Sequence, residues 1–162
     1  MRLEPVCTFD WSYDEDVRVR APGYDLVSPY GGMEGPAYGE GRGRASGRIS
    51  GDVVWSNYPR RRSDGRMLPN VRGLITTNDG ASVFFELRGR TVFGDDGVGR
   101  QNLVGWFEAG DERYGWLNDV VCIGEGLIGD DEMQIRVYAG VVELEPELMR
   151  AATARSGCPP DR

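Results

Sequence analysis

Apolar residues along this chain recur at every second position far more often than at helical spacing. Val6–Trp11, Val17–Arg20, Asp52–Tyr58, Val71–Thr77, Ala81–Arg90, Gln101–Glu108, Val120–Ile128 and Met133–Leu144 each read as a strand. Pro59 ends one of them, and Arg60–Gly65 reads as a loop with a Ser-Asp-Gly turn. Gly31–Gly51 is rich in glycine and could be flexible loop. It also alternates, with Arg42, Arg44 and Ser46 on one side and glycines and Ala45 on the other, which suits a bent edge strand of a barrel.

The sharpest local signal is Asn78-Asp79-Gly80 between two strand patterns. Asp79-Gly80 predicts a two-residue hairpin turn with Asn78 opposite Ala81. Alternation then sets Thr76 against Val83, Leu74 against Phe85 and Arg72 against Leu87 on one face, and Ile75 with Phe84 on the other. Gly129-Asp130-Asp131 joins the last two strands as another hairpin. Asp111–Asn118 is long enough for one or two helical turns, with Asp111 as N-cap, and Glu147–Arg155 has the composition of a short C-terminal helix. Nine or so antiparallel strands must hide their edges. The expected fold is a mainly β, closed antiparallel barrel of about 8–10 strands with one short helix near 111–118, and a flattened sandwich as the alternative. Residues 1–145 form one domain and 146–162 a helix or tail.

Composition narrows the chemistry. The 162 residues include 24 glycines, no histidine, and 19 basic residues that are all arginine. Ser-His-Asp and Cys-His nucleophile systems, Schiff-base lysines and His-containing metal sites are therefore excluded. Cys7, Cys122 and Cys158 have no metal-ligand spacing, so no metal and no cofactor is expected. Cys122, in an apolar strand, reads as a core residue. A net charge of −7 argues against nucleic-acid or anionic-membrane partners. The N-terminus has no charged-then-apolar leader pattern, and no apolar run nears the ~20 residues that span a bilayer. The expectation is a soluble cytoplasmic protein with reduced thiols.

Gly32-Met33-Glu34-Gly35-Pro36, Trp55, Arg72, Asp79-Gly80-Ala81, Phe107, Gly110, Tyr114-x-Trp116-Leu117-Asn118 and Val137-Tyr138 occur in a characteristic order. In these residues, spanning about Leu3 to Glu143, the chain resembles the bacterial domain-of-unknown-function family numbered 3237. The resemblance implies a small antiparallel barrel similar to allene oxide cyclase or calycin barrels, and no settled activity. The chain departs from the family pattern in a longer, arginine-rich loop at Tyr58–Gly65, in Gly73 where an aromatic usually follows the arginine, and in Leu87.

Arg72 is the leading candidate for chemistry, since the two-residue turn places it on the apolar face, inside the barrel near one mouth. The plain alternative is a structural ion pair. Glu125, between apolar neighbours, would act as general acid or base if buried, or else pair with an arginine. Glu34 and Glu108 are weaker versions of the same idea. Trp55, Trp106, Tyr114, Trp116 and Tyr138 would line a pocket for an apolar or aromatic ligand, or serve as ordinary core. Asn118 would hydrogen-bond backbone or ligand, and Asn57 would make a polar contact at the mouth. Arg60–Arg62 could bind an anionic group or simply lie in solvent. This inventory suits a cofactor-independent cyclase, isomerase or lyase acting on an apolar, aromatic or polyketide-like small molecule in the barrel. The alternatives are a binding or carrier protein with the same cavity, and an assembly role in which self-association as a homodimer covers Ile75 and Phe84.

Overall fold

The computed structural model describes residues 1–14, 34–129 and 132–144. Its strands are β1 (Arg2–Tyr13), β2 (Gly35–Pro36), β3 (Gly39–Gly47), β4 (Gly51–Asn57), β5 (Arg60–Arg61), β6 (Met67–Leu68), β7 (Asn70–Thr77), β8 (Ser82–Phe93), β9 (Gly99–Ala109), β10 (Cys122–Ile128) and β11 (Glu132–Val141). The eight long strands run in the order β8-β7-β4-β3-β1-β11-β10-β9, and β9 pairs back onto β8, so the sheet closes. Closure leaves none of them an open edge and rules out the sandwich. Following the ladder outward from Val83 through all eight strands returns to β8 at Phe93, ten residues further on. That stagger is what tilts the strands and gives the barrel its width. The three two-residue strands form a flap at one end, tied to β8 where Met67 pairs with Thr91. Arg60–Arg61, expected as loop, is thus a strand of this flap.

Glycine decides how the interior fills. Phe9 and Trp11 of β1, Trp55 of β4, Phe85 of β8 and Phe107 of β9 are all buried and in mutual ring contact, with Trp11 and Trp55 stacked at 5.5 Å and Phe9 and Phe85 at 5.2 Å. Each large ring needs room on a neighbouring strand. A Cβ on Gly41 would lie 2.7 Å from Trp55 Cζ2, one on Gly43 2.7 Å from Trp11 Cδ1, and one on Gly73 2.3 Å from Phe85 Cζ. The inward position of Gly73 is thus filled from the neighbouring strand by the ring of Phe85. Burying one such ring removes about 150–250 Å2 from water, roughly 4–6 kcal/mol at ~25 cal/mol/Å2. The glycine-rich segment is therefore a central wall strand, with Gly39, Gly41, Gly43 and Ala45 inward and Arg42, Arg44 and Ser46 outward, and not an edge.

The other end is closed by a 3-10 segment, Glu112–Asp119, as expected near 111–118. Asp111 caps it by accepting from Arg113 N at 3.0 Å, and Leu117 plugs the core.

The β7–β8 hairpin corrects the sequence reading. Thr77, not Asn78, stands opposite Ala81. The turn has three residues, Asn78-Asp79-Gly80, with Gly80 at φ +88°, and Ile75 pairs with Val83. Thr77 Oγ1 locks this register by accepting from Ala81 N at 2.8 Å and donating to Asp79 Oδ1 at 2.5 Å. A one-residue slip reverses a whole strand face. Val71, Gly73, Ile75 and Thr77 point in; Arg72, Leu74 and Thr76 point out. Ile75 is fully buried and needs no cover, whereas Phe84 is on the outer wall as expected. The expected strand Val17–Arg20, the helix over 147–155, Asp130-Asp131 and Cys158 lie outside the described residues.

Gly41→Ala should lose about 1–3 kcal/mol in urea unfolding, since its Cβ meets both Trp55 and the Ser12 carbonyl, whereas Gly115→Ala, with open space around it, should stay within about 0.5 kcal/mol of the parent.

Candidate functional site on the outer wall

With the interior occupied by rings, the concave site with aromatic walls lies outside. Outward positions of four adjacent strands form registered rows: Val54, Leu74, Phe84 and Glu108 in one, Ser56, Arg72, Glu86 and Trp106 in the next. Together they line a groove of about 700 Å3, within the usual size of a ligand site. Its walls are apolar and open to solvent. Phe84 is 60% exposed, Val54 56% and Trp106 39%.

Glu86 lies at the centre. Its side chain is only 16% exposed, while Arg72 beside it is 60% exposed. Arg72 Nε stands 3.2 Å from Oε2 and Arg88 Nε 2.5 Å from Oε1. Both are ion-pair distances. The Oε1 contact lacks hydrogen-bond geometry, so charge rather than a directed bond holds this partly buried carboxylate between the two guanidinia. The arrangement can receive a proton from a ligand hydroxyl and hold the oxyanion against two guanidinia.

The structure moves several expected site residues. Arg72 is outside the barrel rather than inside, because of the three-residue turn. It nonetheless lines a groove with a carboxylate and aromatic walls. Glu125 is also exposed: the inward positions of β10 are Cys122, Gly124, Gly126 and Ile128, and the carboxylate points out and accepts from Tyr138 Oη at 3.0 Å. The desolvated general acid expected there is absent, and Arg72 is not its partner. Tyr138 accordingly stands on the outer wall, apart from the groove. Glu34 is exposed near the flap, where Ser63, through its side chain first and its backbone N at 3.0 Å next, holds its carboxyl below the usual range. Trp106 is a groove wall as well as a ring, and Glu108 sits beside it.

Trp55 and Asn57 do point inward. Asn57 is buried and accepts from Asn70 N at 2.9 Å, tying β4 to the start of β7. The indole N–H groups of Trp55 and of Trp11, which the sequence reading passed over, are buried with no hydrogen-bond partner among the described residues. Tyr114, Trp116 and Asn118 belong to the end cap. Asn118 makes two hydrogen bonds to the Ala109 backbone at 2.9 Å, and the guanidinium of Arg48 stacks 3.8 Å over Trp116. Tyr114 Oη donates to Asp79, which also receives Thr77 and Arg113. These bonds, from Thr77 first and Tyr114 next, keep the Asp79 carboxyl below its usual range. The cap is thus knitted to the β7–β8 turn by one carboxylate.

Burial pushes the Cys7 thiol up to about 12, aided by the nearby Cys122, and Cys122 up to about 11. Both are free core cysteines, and a thiolate nucleophile is disfavoured at each. The sequence reading did not single out Glu86, which lines the groove, or Arg88, which pairs with it, and it named Phe84 only as a surface for self-association. The signal that finds them is the alternation of β7 itself: Val71-x-Gly73-x-Ile75 is the better inward set, and it puts Arg72 opposite Glu86.

Fold and groove define a small closed antiparallel β-barrel with an amphiphilic cleft on its outer wall. Residues 1–140 match the family described as protein of unknown function, DUF3237, and the chain belongs to that family. Solved structures share the fold at low identity. A protein with unknown function from Clostridium acetobutylicum aligns with TM-score 0.74 and 17% identity, over 87% of this chain and 100% of its own. A β-barrel-like protein from Acinetobacter baumannii gives 0.71 and 17%, over 85% and 94%. An enzyme from Penicillium herquei gives 0.57 and 18%, over 84% and 93%. No curated protein matches the chain. No helix among the described residues is long and apolar enough to cross a membrane.

Asp79→Asn should loosen the cap at neutral pH. A lowered carboxyl contributes stability above its unfolded value, about 3.9, and loses it as pH falls through the folded value. The gap in urea midpoint between wild type and variant should therefore close as the pH is lowered from about 5 to below the folded value.

Proposed function

We propose that the protein is a cofactor-independent enzyme acting on a small aromatic or polyketide-like molecule that carries a hydroxyl group, bound in the outer groove. The observation that carries this reading is Glu86: a carboxylate only 16% exposed, held between two guanidinia, in an aromatic-walled cleft. Glu86 takes the proton of a phenolic or enolic hydroxyl. Arg72 and Arg88 hold the resulting oxyanion, and Phe84 and Trp106 fix the ring plane. Arg72 is 60% exposed and lines the groove, which puts its guanidinium within reach of a ligand oxygen. The same proton can be returned to carbon, so that no oxidant or nucleophile is needed. This is chemistry of cyclase, isomerase or lyase type, consistent with an inventory without histidine or lysine. The Penicillium herquei neighbour is described as an enzyme, which supports catalysis on this fold by analogy alone.

A second reading is a carrier that uses the same groove and does no chemistry. It is favoured by the openness of the walls, since Phe84 and Val54 stand more than half exposed and water is not excluded.

2-Naphthol, an aromatic alcohol whose ground-state absorption shifts on proton loss, separates these readings. Wild type should bind it saturably. Arg72→Met should weaken binding about tenfold, or ~1.4 kcal/mol. Glu86→Gln should retain binding and lose the naphtholate absorption band. Saturable binding without any naphtholate absorption in wild type would favour the carrier. Failure of 2-naphthol and related aromatic alcohols to bind would end both readings of the groove.

A further inference from the structure

The charges of the groove are not spread evenly along it. On the outer face of β8 and β9, Phe84 is the direct partner of Glu108, and Glu86 is the direct partner of Trp106. All four line the groove. They form a square with carboxylates at two opposite corners and rings at the other two. Diagonal neighbours in an antiparallel pair stand about 7–8 Å apart.

The two carboxylates have unlike surroundings. Glu86 is 16% exposed and lies between the guanidinia of Arg72 and Arg88, so two cations meet one anion and its corner is positive on balance. Glu108 is exposed. Its outward neighbours on β8 and β9 are Ser82, Phe84, Glu86 and Trp106, with no basic side chain among them. The groove therefore has a positive corner and a negative one, with rings between. A molecule that fits both corners carries the reverse layout: an acidic oxygen at one end, a cation at the other and an apolar middle. A carboxylate flanked by two aromatic rings suits an alkylammonium group, since the carboxylate accepts its N–H and the rings attract its charge. The net charge of −7 also draws cations toward the chain.

We infer that the ligand of the groove is a phenol that carries a protonated alkyl amine, and that the amine seats at Glu108 beside Phe84 and Trp106. This rests on the groove reading above and narrows its substrate class. The hydroxyl meets Glu86, Arg72 and Arg88, and the ring spans the distance between the two carboxylates. Glu108 is a specificity residue and takes no proton, because an alkylammonium, which titrates at about 10, stays charged beside a carboxylate. Neutral phenols occupy only the first corner, and phenols with a carboxylate tail are turned away from the second.

Calorimetric titration of the full chain with matched ligands tests this. Tyramine carries both groups. 4-Ethylphenol lacks the amine, phenethylamine lacks the hydroxyl, and 3-(4-hydroxyphenyl)propionate puts a carboxylate near the place of the amine. Tyramine should bind wild type at least about threefold more tightly than 4-ethylphenol or phenethylamine, and the propionate should bind more weakly than 4-ethylphenol. Glu108→Gln should bring tyramine down to the affinity of 4-ethylphenol, with an unchanged circular dichroism spectrum. Phe84→Leu should narrow the same gap. If 4-ethylphenol binds and tyramine binds no more tightly, the amine site is wrong while the groove reading stands. A preference for tyramine that survives in folded Glu108→Gln also overturns the amine site. If neither these ligands nor 2-naphthol binds, the groove reading fails and the amine site falls with it.

Discussion

The barrel depends on one repeated contact, an aromatic ring from one strand lying where a glycine on another has no side chain. Trp55 over Gly41, Trp11 over Gly43 and Phe85 over Gly73 place three large rings in the space eight strands enclose. An eight-stranded barrel is wide enough for side chains or for one small ligand, and here the side chains take the room. Glycine in a strand weakens it by itself, because it costs entropy and packs nothing. That cost is offset only when a neighbour fills the gap, so the glycine-rich β3 is stable as part of this closed wall and would be a poor strand elsewhere. The glycines at 39, 41, 43 and 73 are thus the imprint of the rings beside them.

Filling the interior displaces function to the surface. A barrel that gives its interior to structure can still offer its outer rows, and strand register then does what cavity shape does elsewhere. The Arg72–Glu86 and Leu74–Phe84 pairs are direct cross-strand neighbours, so their spacing is set by the ladder and not by flexible loops. The three-residue turn at Asn78-Asp79-Gly80 is therefore a determinant of the site although it lies at the far end of both strands. Asp79 holds that turn with Thr77 and holds the cap with Tyr114 and Arg113, so the register of β7 and the closure of the barrel end share one carboxylate. The Asp-Gly-Ala turn and the Tyr-x-Trp-Leu-Asn segment thus meet in one structural joint.

Much of the fold was legible in the sequence. Period-two alternation located the strands to within a few residues, the Asp111 cap located the 3-10 segment, and the need to hide edges led to closure. The site was legible in part. Arg72 and Trp106 were found as residues and misplaced as geometry, because an Asp-Gly pair supports both two- and three-residue loops and the difference is a Thr77 hydroxyl that acts only in three dimensions. Glu125 failed for a different reason. Its strand looks apolar on both faces, yet its inward residues are mostly small, since Ile135 and Leu103 reach over from neighbouring strands, and its large apolar residues are left outside. Long-range packing of that kind has no signature within a seven-residue window.

The two core thiols and the lack of histidine together have a kinetic consequence. Side chains of ordinary carboxylate type change charge below about pH 5, and Cys7 and Cys122 are lifted to about 12 and 11. Across the neutral range the described side chains thus offer no titration of the histidine or thiol kind. A rate profile that bends between about pH 6 and 8 would thus turn attention to the ionisation of the bound molecule, and repeating it with ligands of different acidity shows whether the bend follows the ligand.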